Sequence, residues 1–283
     1  MEIIVHTLAH AFADCLRMLP FLFAAFLLIE GLEHYSGKHT AKIMEKVGKA
    51  GPVAGAAAGC VPQCGFSVMA ANLYAGGVIS AGTLLAVFLA TSDEAVLIIL
   101  GNPDSAAVVG KLLAAKVVIA IAGGYAADLF FLKERPEEKK KAGILCEHCG
   151  CHDGHGRILL PALRHTFRLF MYLFLFTWIL DFCVEIFGIQ GLSRFLLGDT
   201  VFQPLIAALI GLIPNCAASV ILTELYLEQA ISFASVVAGL CTGAGAGLLV
   251  LFKVNQNRKE NGKIMIMLYL TAVVAGLLLQ FVN

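Results

Sequence analysis

Long apolar stretches separated by short polar loops run along nearly the whole chain of 283 residues. A helix that crosses the roughly 30 Å hydrocarbon core of a bilayer needs about 20 mainly apolar residues. Six stretches meet this requirement, at 8–32, 78–100, 106–132, 166–189, 230–252 and 264–282. The pattern therefore predicts an all-α polytopic membrane protein.

Two further apolar stretches, 52–75 and 204–227, are interrupted near their centres by Pro62 and Pro214. Proline removes a backbone donor and clashes with the preceding turn, so each stretch is expected to form two half-helices. A half-helix of about ten residues is about 15 Å long, which is half the thickness of the hydrocarbon core. The sequence thus predicts two helical hairpins whose tips lie at mid-depth.

The two halves of the chain resemble each other. With an offset of 152 and no gap, residues 52–131 match residues 204–283 at 17 of 80 pairs. The informative matches involve Pro, Cys, Tyr and Gly-Lys, whereas chance in so apolar a sequence would favour Leu, Ala and Val. We therefore divide the chain into a first membrane repeat (1–132), a linker (133–159) and a second membrane repeat (160–283).

Fifteen of the 20 Lys and Arg residues fall in three segments, 33–50, 133–165 and 253–263. Because basic residues of short loops stay on the cytoplasmic side, we place all three segments inside. Each hairpin must then be re-entrant, and each repeat has three spanning helices, an odd number. The sequence therefore predicts inverted repeats, ten helical segments in all, with both termini outside the membrane. Inverted repeats with discontinuous helices are typical of secondary transporters.

The composition fits this picture, because 59% of the residues are hydrophobic and 14% are charged, with a mean hydropathy of +0.85. Soluble domains carry about 25% charged residues. A soluble enzyme, or a nucleic-acid binder held by phosphate contacts, is therefore excluded. The expected partners are the lipid bilayer and a small ion or metalloid substrate, and assembly into a homo-oligomer stays open.

The residues at the two hairpin tips carry a resemblance to a known family. The segments GCVPQCGFS (59–67) and GLIPNCAAS (211–219), with a Cys- and His-rich linker between them, resemble those of the bacterial ten-helix heavy-metal exporters. Members of that family are often labelled manganese transporter or arsenic efflux protein, and they are distantly similar to organoarsenical permeases. The resemblance implies efflux across the inner membrane. The substrate stays open between Mn²⁺, Zn²⁺, arsenite, an organoarsenical and an organic molecule.

The polar side chains at the tips are the candidate substrate ligands. Non-helical backbone at membrane depth is tolerated only where it is buried in protein or lines a cavity. Two thiols in this set suit a thiophilic metal or trivalent arsenical better than manganese, which prefers oxygen. The alternative is that small residues merely let the helices pack closely. The candidates are Gln63, Cys64, Ser67, Asn215, Cys216 and Ser219.

Asp93 and Glu94 lie inside the third apolar segment, where the second repeat has glycine and alanine. Carboxylates within a span are costly and mark ion or proton pathways by default, so we expect these two to couple transport to an ion. The alternative is that both lie near the membrane surface. The glycine-rich run 243–247 lacks the Lys-Ser/Thr of a nucleotide loop, so we interpret it as a close-packing helix face.

The linker concentrates six soft metal ligands within ten residues. Thiolate and imidazole together suit zinc, copper(I) or related ions, including the transported ion. We interpret the linker as a flexible metal-capture or sensing segment, and expect no other cofactor; the alternative is a solvated, cysteine-rich linker. The six ligands are Cys146, His148, Cys149, Cys151, His152 and His155.

These features together predict a secondary active transporter, not an enzyme, which exports a heavy metal, metalloid or related thiophilic small molecule by alternating access and is driven by protons. One alternative is an intramembrane redox enzyme that uses Cys60 and Cys64, but their spacing is not Cys-x-x-Cys. Another alternative is a channel or a metal sensor. Transport into vesicles, and its dependence on an imposed proton gradient, distinguishes these classes.

Overall fold

The computed structural model describes residues 50–61, 65–100, 106–132, 202–214 and 216–282, together with single positions between 7 and 27 and between 163 and 182. The described single positions are all helical, and the continuous ranges consist of helices joined by short turns. The helices are α1 (50–59), α2 (Gly65–Ala75), α3 (Ala81–Ala90), α4 (Asp93–Leu100), α5 (Ala106–Leu132), α6 (Gln203–Gly211), α7 (Cys216–Leu227), α8 (Phe233–Thr242), α9 (Ala246–Val254) and α10 (Arg258–Val282).

The two proline-containing stretches are each divided into two half-helices, as predicted. In the first repeat α1 ends at residue 59 and α2 begins at Gly65. In the second repeat α6 ends at Gly211 and α7 begins at Cys216. The division follows from the prolines, because neither Pro62 nor Pro214 can continue the hydrogen-bond ladder of a helix.

Two of the stretches predicted as continuous spanning helices are also interrupted. The stretch at 78–100 consists of α3 and α4, with Thr91 and Ser92 between them. The Thr91 hydroxyl donates to the carbonyl of Val87 (2.7 Å), and the Ser92 hydroxyl donates to the carbonyl of Ala90 (3.2 Å). Such side-chain bonds to the backbone compete with the helical ladder. They accompany the interruption, although no proline is present.

The stretch at 230–252 is interrupted between α8 and α9, at residues 243–245. Gly245 has a φ of +53°, which an L side chain rarely adopts, so glycine is required at this turn. The interpretation of the run 243–247 as a close-packing helix face is therefore wrong for residues 243–245, which are not helical. Close packing does occur at Gly247, because a Cβ there would lie 2.7 Å from the Ser67 side chain.

The two interrupted spans form the centre of the molecule. Within an 18-residue apolar segment of Ala81–Leu100 and of Phe233–Val254, 81% and 83% of the described residues are buried, against 33% in the corresponding segments of Val108–Phe130 and Arg258–Phe281. All four stretches are long and apolar enough to cross a membrane. Large side chains of the outer helices, such as Leu129 and Phe281, are exposed, as expected for residues that face lipid. The chain therefore carries its discontinuous helices in the protein core.

The first half-helix of each proline-interrupted stretch, α1 or α6, is called the first arm of its hairpin. Glycines bring each first arm against a core helix of the same repeat, α1 against α3 and α6 against α8. A Cβ added at Gly59 of α1 would lie 2.6 Å from the carbonyl oxygen of Val87 in α3. Gly211 of α6 lies against the Gly239 carbonyl of α8 in the corresponding way. Small residues permit this close backbone approach between membrane helices. Each first arm consequently ends beside the interruption of its own repeat.

The second arm of each hairpin packs against the other repeat. Helix α2 contacts α9, and helix α7 contacts α4. At the far end of α2, the Tyr74 hydroxyl donates a hydrogen bond to the Glu260 carboxylate at the start of α10. The contacts of the second arms therefore join the two halves of the chain.

Candidate functional site

Lys116 of α5 is fully buried and connects the two interrupted spans. Its ammonium nitrogen donates hydrogen bonds to the carbonyl oxygens of Thr91 and Leu240, the latter at 2.7 Å. Thr91 is the residue that ends α3, and Leu240 lies in the last turn of α8. One cationic side chain thus touches the C-terminal ends of two helices from different repeats.

Electrostatics explains why a cation is stable at this position. The last carbonyl groups of a helix have no partner within the helix, and the helix dipole places a partial negative charge there. Burial of an ammonium group costs several kcal/mol unless partners compensate for the lost water. The C-terminal ends of α3 and α8 supply this compensation, because each offers a carbonyl oxygen to Lys116.

The hairpins reach the same region. A Cβ at Gly59, the last residue of α1, would lie 2.7 Å from Ala90 and 3.3 Å from the Thr91 nitrogen. At the end of α6, Gly211 lies against the Thr242 side chain, whose hydroxyl donates to the carbonyl of Ala208 (2.7 Å). The hairpin arms and the helix interruptions therefore converge around Lys116.

Two thiols belong to this cluster. Cys60 follows Gly59 at the end of the first hairpin arm and is half-buried, and Cys241 follows Leu240 and is fully buried. Both thiols are free, and both lie close enough to Lys116 for its positive charge to act on them. The described part of the site therefore combines one cation, backbone carbonyl oxygens and two sulfur atoms.

Comparison with known proteins identifies the family. A family model with the description "Putative, 10TM heavy-metal exporter" matches residues 1–185 and 166–283, which together cover the whole chain. The chain belongs to this family. The resemblance seen at the hairpin tips is thereby confirmed, and this member of the exporter family is a multi-pass membrane transporter. Neither the curated proteins nor the solved structures contain a significant match.

The structure describes some of the residues that the sequence suggested as substrate ligands in this exporter family member. Ser67 is fully buried where α2 meets α9. Ser219 is half-buried on α7, and its carbonyl accepts a hydrogen bond from the Thr223 hydroxyl (2.7 Å). Cys216 is the first residue of α7, with only its backbone described. Gln63, Cys64 and Asn215 lie outside the described residues.

The expected coupling residues directly follow the first interruption. Asp93 and Glu94 are the first two residues of α4, and the description covers their backbone but not their side chains. The six linker ligands lie outside the described residues. Within the described ranges, no group of three or more His, Cys, Asp or Glu residues is close enough to hold a metal ion.

Sequence reasoning missed Lys116 and Cys241. Lys116 carried a usable signal, because it lies inside a 27-residue apolar helix and its counterpart in the second repeat is Leu268. An ionisable residue within a span is a functional candidate by default. Cys241 carried a weaker signal, since a cysteine in an apolar run also behaves as a small hydrophobic residue.

Proposed function

We propose that this protein is a secondary active exporter of a heavy-metal ion, metalloid or related thiophilic small molecule across the inner membrane. The exporter works by alternating access and is driven by protons. The observation that carries the proposal is the convergence of two interrupted core helices and two hairpins on one buried lysine. Polar backbone within a membrane occurs where it is buried or lines a pathway. Transporters place their substrate sites at discontinuous helices of this kind.

The repeats are proposed to be inverted, with re-entrant hairpins. Support comes from the second hairpin, whose ends lie together, since Gln203 at the start of α6 accepts a hydrogen bond from the Ser232 nitrogen (3.0 Å) just after α7. A hairpin that crossed the membrane would separate these ends. Further support comes from equivalent contacts in both halves, because Ser80 and Ser232 cap α3 and α8 through the same side-chain bond.

The proposed topology can be tested by cysteine labelling of intact cells. With three spans per repeat and the basic loops inside, a Lys46→Cys site should react only after the membrane is opened. An Asp104→Cys site should react with an impermeant reagent added to intact cells. Both termini should be accessible from outside as well. Labelling of positions 46 and 104 from the same side would contradict the topology.

The substrate is proposed to bind where the hairpin tips meet the interrupted helices. The proposed ligands are Gln63, Cys64, Ser67, Asn215, Cys216 and Ser219. Support comes from Ser67, which lies fully buried against the start of α9. The linker is proposed to capture metal ions such as zinc or copper(I) outside the membrane. A peptide of residues 144–157 that failed to bind either ion in a titration would contradict that role.

Asp93 and Glu94 are proposed to couple transport to protons. Asp93→Asn is expected to abolish gradient-driven efflux but to spare substrate binding, because it removes the proton-carrying carboxyl group and retains the shape. Glu94→Gln should have a milder effect if it faces away from the site. Glu228→Gln, at an exposed acid after α7, is the matched control and should leave efflux unchanged. Normal pumping by the Asp93→Asn, Glu94→Gln double variant, with unchanged pH dependence, would place the coupling site elsewhere.

Everted membrane vesicles test the function as a whole. Vesicles that contain the protein should accumulate one of Cd²⁺, Zn²⁺, Mn²⁺ or arsenite when a proton gradient is imposed, and vesicles without the protein should not. A protonophore should abolish the accumulation. Flux that follows only the substrate's own gradient would instead indicate a channel. Absence of flux for the whole panel, from protein shown to be folded, would contradict a heavy-metal exporter.

A further inference from the structure

The second arm of the first hairpin, α2, is held against the second repeat near both of its ends. Near the hairpin tip, Ser67 lies against Gly247 at the start of α9. At the other end, the Tyr74 hydroxyl donates a hydrogen bond to the Glu260 carboxylate in the first turn of α10. The contact between the repeats therefore extends from the proposed substrate site to the loop that joins α9 to α10.

Glu260 is held in place by the turn that precedes α10. Its carboxylate accepts a hydrogen bond from the Asn257 side chain (3.1 Å), and its backbone nitrogen donates to the Asn257 side chain (3.3 Å). This reciprocal pair is a form of capping box, which fixes the first turn of a helix. Asn261, which is fully buried, is joined to Asn255 by hydrogen bonds of 2.7 and 3.0 Å. The acceptor of the Tyr74 bond therefore belongs to a turn that its own hydrogen bonds fix.

The middle of α2 presents small apolar side chains on the face that carries Tyr74. Ala70 and Ala71 lie three and four positions before Tyr74, so they share its face of the helix, and both are buried. Apolar contacts between membrane helices give little net stabilisation from burial, because lipid tails are as apolar as the side chains that they cover. A hydrogen bond at the end of this face can therefore decide whether α2 stays against α9.

The second repeat has no carboxylate at the equivalent position. Tyr226 is the counterpart of Tyr74, but the counterpart of Glu260 is an apolar residue, Val108. The Tyr226 ring packs against Phe233, with ring centroids 6.0 Å apart. In the proposed inverted arrangement, the two tyrosines lie at opposite faces of the membrane. The bond to Glu260 therefore acts at one face only, the face of the basic α9–α10 loop that we place in the cytoplasm.

We propose that the hydrogen bond from Tyr74 to Glu260 is the cytoplasmic gate of the exporter. The bond holds α2 against α9 while the substrate site is closed to the cytoplasm, and it breaks when the two helices separate to admit the substrate. The inference rests on the proposed export function and identifies one contact that alternating access must open. Loss of the bond raises the population that is open to the cytoplasm and lowers the population that is open to the outside, because the two states are in equilibrium.

Labelling of one buried thiol from each side of the membrane tests the gate. A Ser67→Cys variant of the full-length protein places a thiol against α9, and an impermeant methanethiosulfonate reagent reports its exposure. In everted vesicles, whose cytoplasmic face is outward, Tyr74→Phe should speed this labelling roughly tenfold, because it removes a hydrogen bond to a charged group. In right-side-out vesicles, Tyr74→Phe should not speed the labelling. Protein without the Ser67→Cys change gives the background from the native cysteines.

Two comparisons assign the effect to this bond. Tyr226→Phe is the matched control and should leave labelling from both sides unchanged, because its counterpart position offers no carboxylate. Tyr74 and Glu260 also make other interactions, so Tyr74→Phe is repeated in a Glu260→Ala background. There the hydroxyl has no carboxylate to bind, and Tyr74→Phe should speed labelling no further. If Glu260→Ala does not fold, Glu260→Gln takes its place, and Tyr74→Phe should then have a smaller effect than in the wild-type background.

Unchanged cytoplasmic labelling in Tyr74→Phe would overturn the inference. Equal acceleration from both faces would also overturn it, since that result indicates general loosening, and so would an equal effect of Tyr74→Phe with and without the Glu260 carboxylate. These outcomes are distinct from failure of the export function, because labelling requires no transport. Wild-type vesicles that accumulate substrate, combined with unchanged labelling in Tyr74→Phe, would overturn the gate alone.

Discussion

Gly211→Ala is expected to destabilise the protein and to abolish efflux. A Cβ at this position would overlap the carbonyl oxygen of Gly239 and the hydroxyl of Thr242, both on the core helix α8. Overpacking of a tight core costs roughly 1–3 kcal/mol or more, and a backbone carbonyl in a helix cannot move aside as a flexible side chain can. The first arm of the second hairpin would have to move away from the interruption. The melting temperature in detergent and vesicle efflux measure the two effects.

Gly262→Ala is the matched control for this prediction. Gly262 is also a helical glycine, but a Cβ there has no atom within 4 Å. Replacement of glycine by alanine in a helix interior is then expected to stabilise the protein by up to about 1 kcal/mol. Efflux by this variant should match wild type. Equal behaviour of the two variants would mean that the close contact between α6 and α8 does not hold the hairpin in place.

The Cys64→Ser, Cys216→Ser double variant is expected to lose most of the resistance that the protein gives to a thiophilic metal or arsenite. The sequence predicts hairpin tips of equal half-length, and we expect such tips to bring these two thiols opposite each other at mid-depth. Serine keeps a similar size but replaces a soft sulfur ligand by a hard oxygen, which soft ions bind weakly. Growth of a sensitive deletion strain across a metal series measures the loss, which should be roughly tenfold or more in tolerated concentration.

Two comparisons make the thiol prediction specific. Cys15→Ser changes a buried thiol of the first span and should retain full resistance. The Cys60→Ser, Cys241→Ser variant alters the two thiols near Lys116 instead. Suppose that the Cys64→Ser, Cys216→Ser variant keeps full resistance and the Cys60→Ser, Cys241→Ser variant loses it. The substrate would then be bound by the thiols of Cys60 and Cys241. Full resistance in both double variants would show that export does not require any of these four thiols.

The hairpin joints could be predicted from sequence because a single residue type causes them. Proline disrupts a helix wherever it stands in the interior, so Pro62 and Pro214 located the joints without any tertiary information. The interruptions at Thr91–Ser92 and at Gly243–Gly245 have no such marker. The mean hydropathy of both spans is 2.0, and hydropathy reports burial but not the path of the backbone. These interruptions depend on local turns and on packing against the other repeat.

The centre of the site was harder to predict for a related reason. Lys116 binds backbone carbonyls of residues 25 and 124 positions away in the chain. Every residue has a carbonyl oxygen, so the amino-acid sequence does not show which of these oxygens binds a side chain. The tip residue Ser67 is marked by a motif, and the structure places it against Gly247, just after the second interrupted span resumes as α9. The lysine becomes a candidate once the repeats are compared and Leu268 is found in its place.

The contact between α2 and α9 has a consequence for the order of events during synthesis. Ser67 lies against Gly247, which is 180 positions later in the chain. At about 5–20 residues per second, a ribosome makes the partner of α2 roughly 10–40 seconds after α2 itself. During this interval the surface of α2 that contacts α9 in the finished protein lacks its permanent neighbour. The thiol of a Ser67→Cys variant should therefore react with a thiol reagent in nascent chains arrested before residue 240. In the finished protein the same thiol should be protected from the reagent.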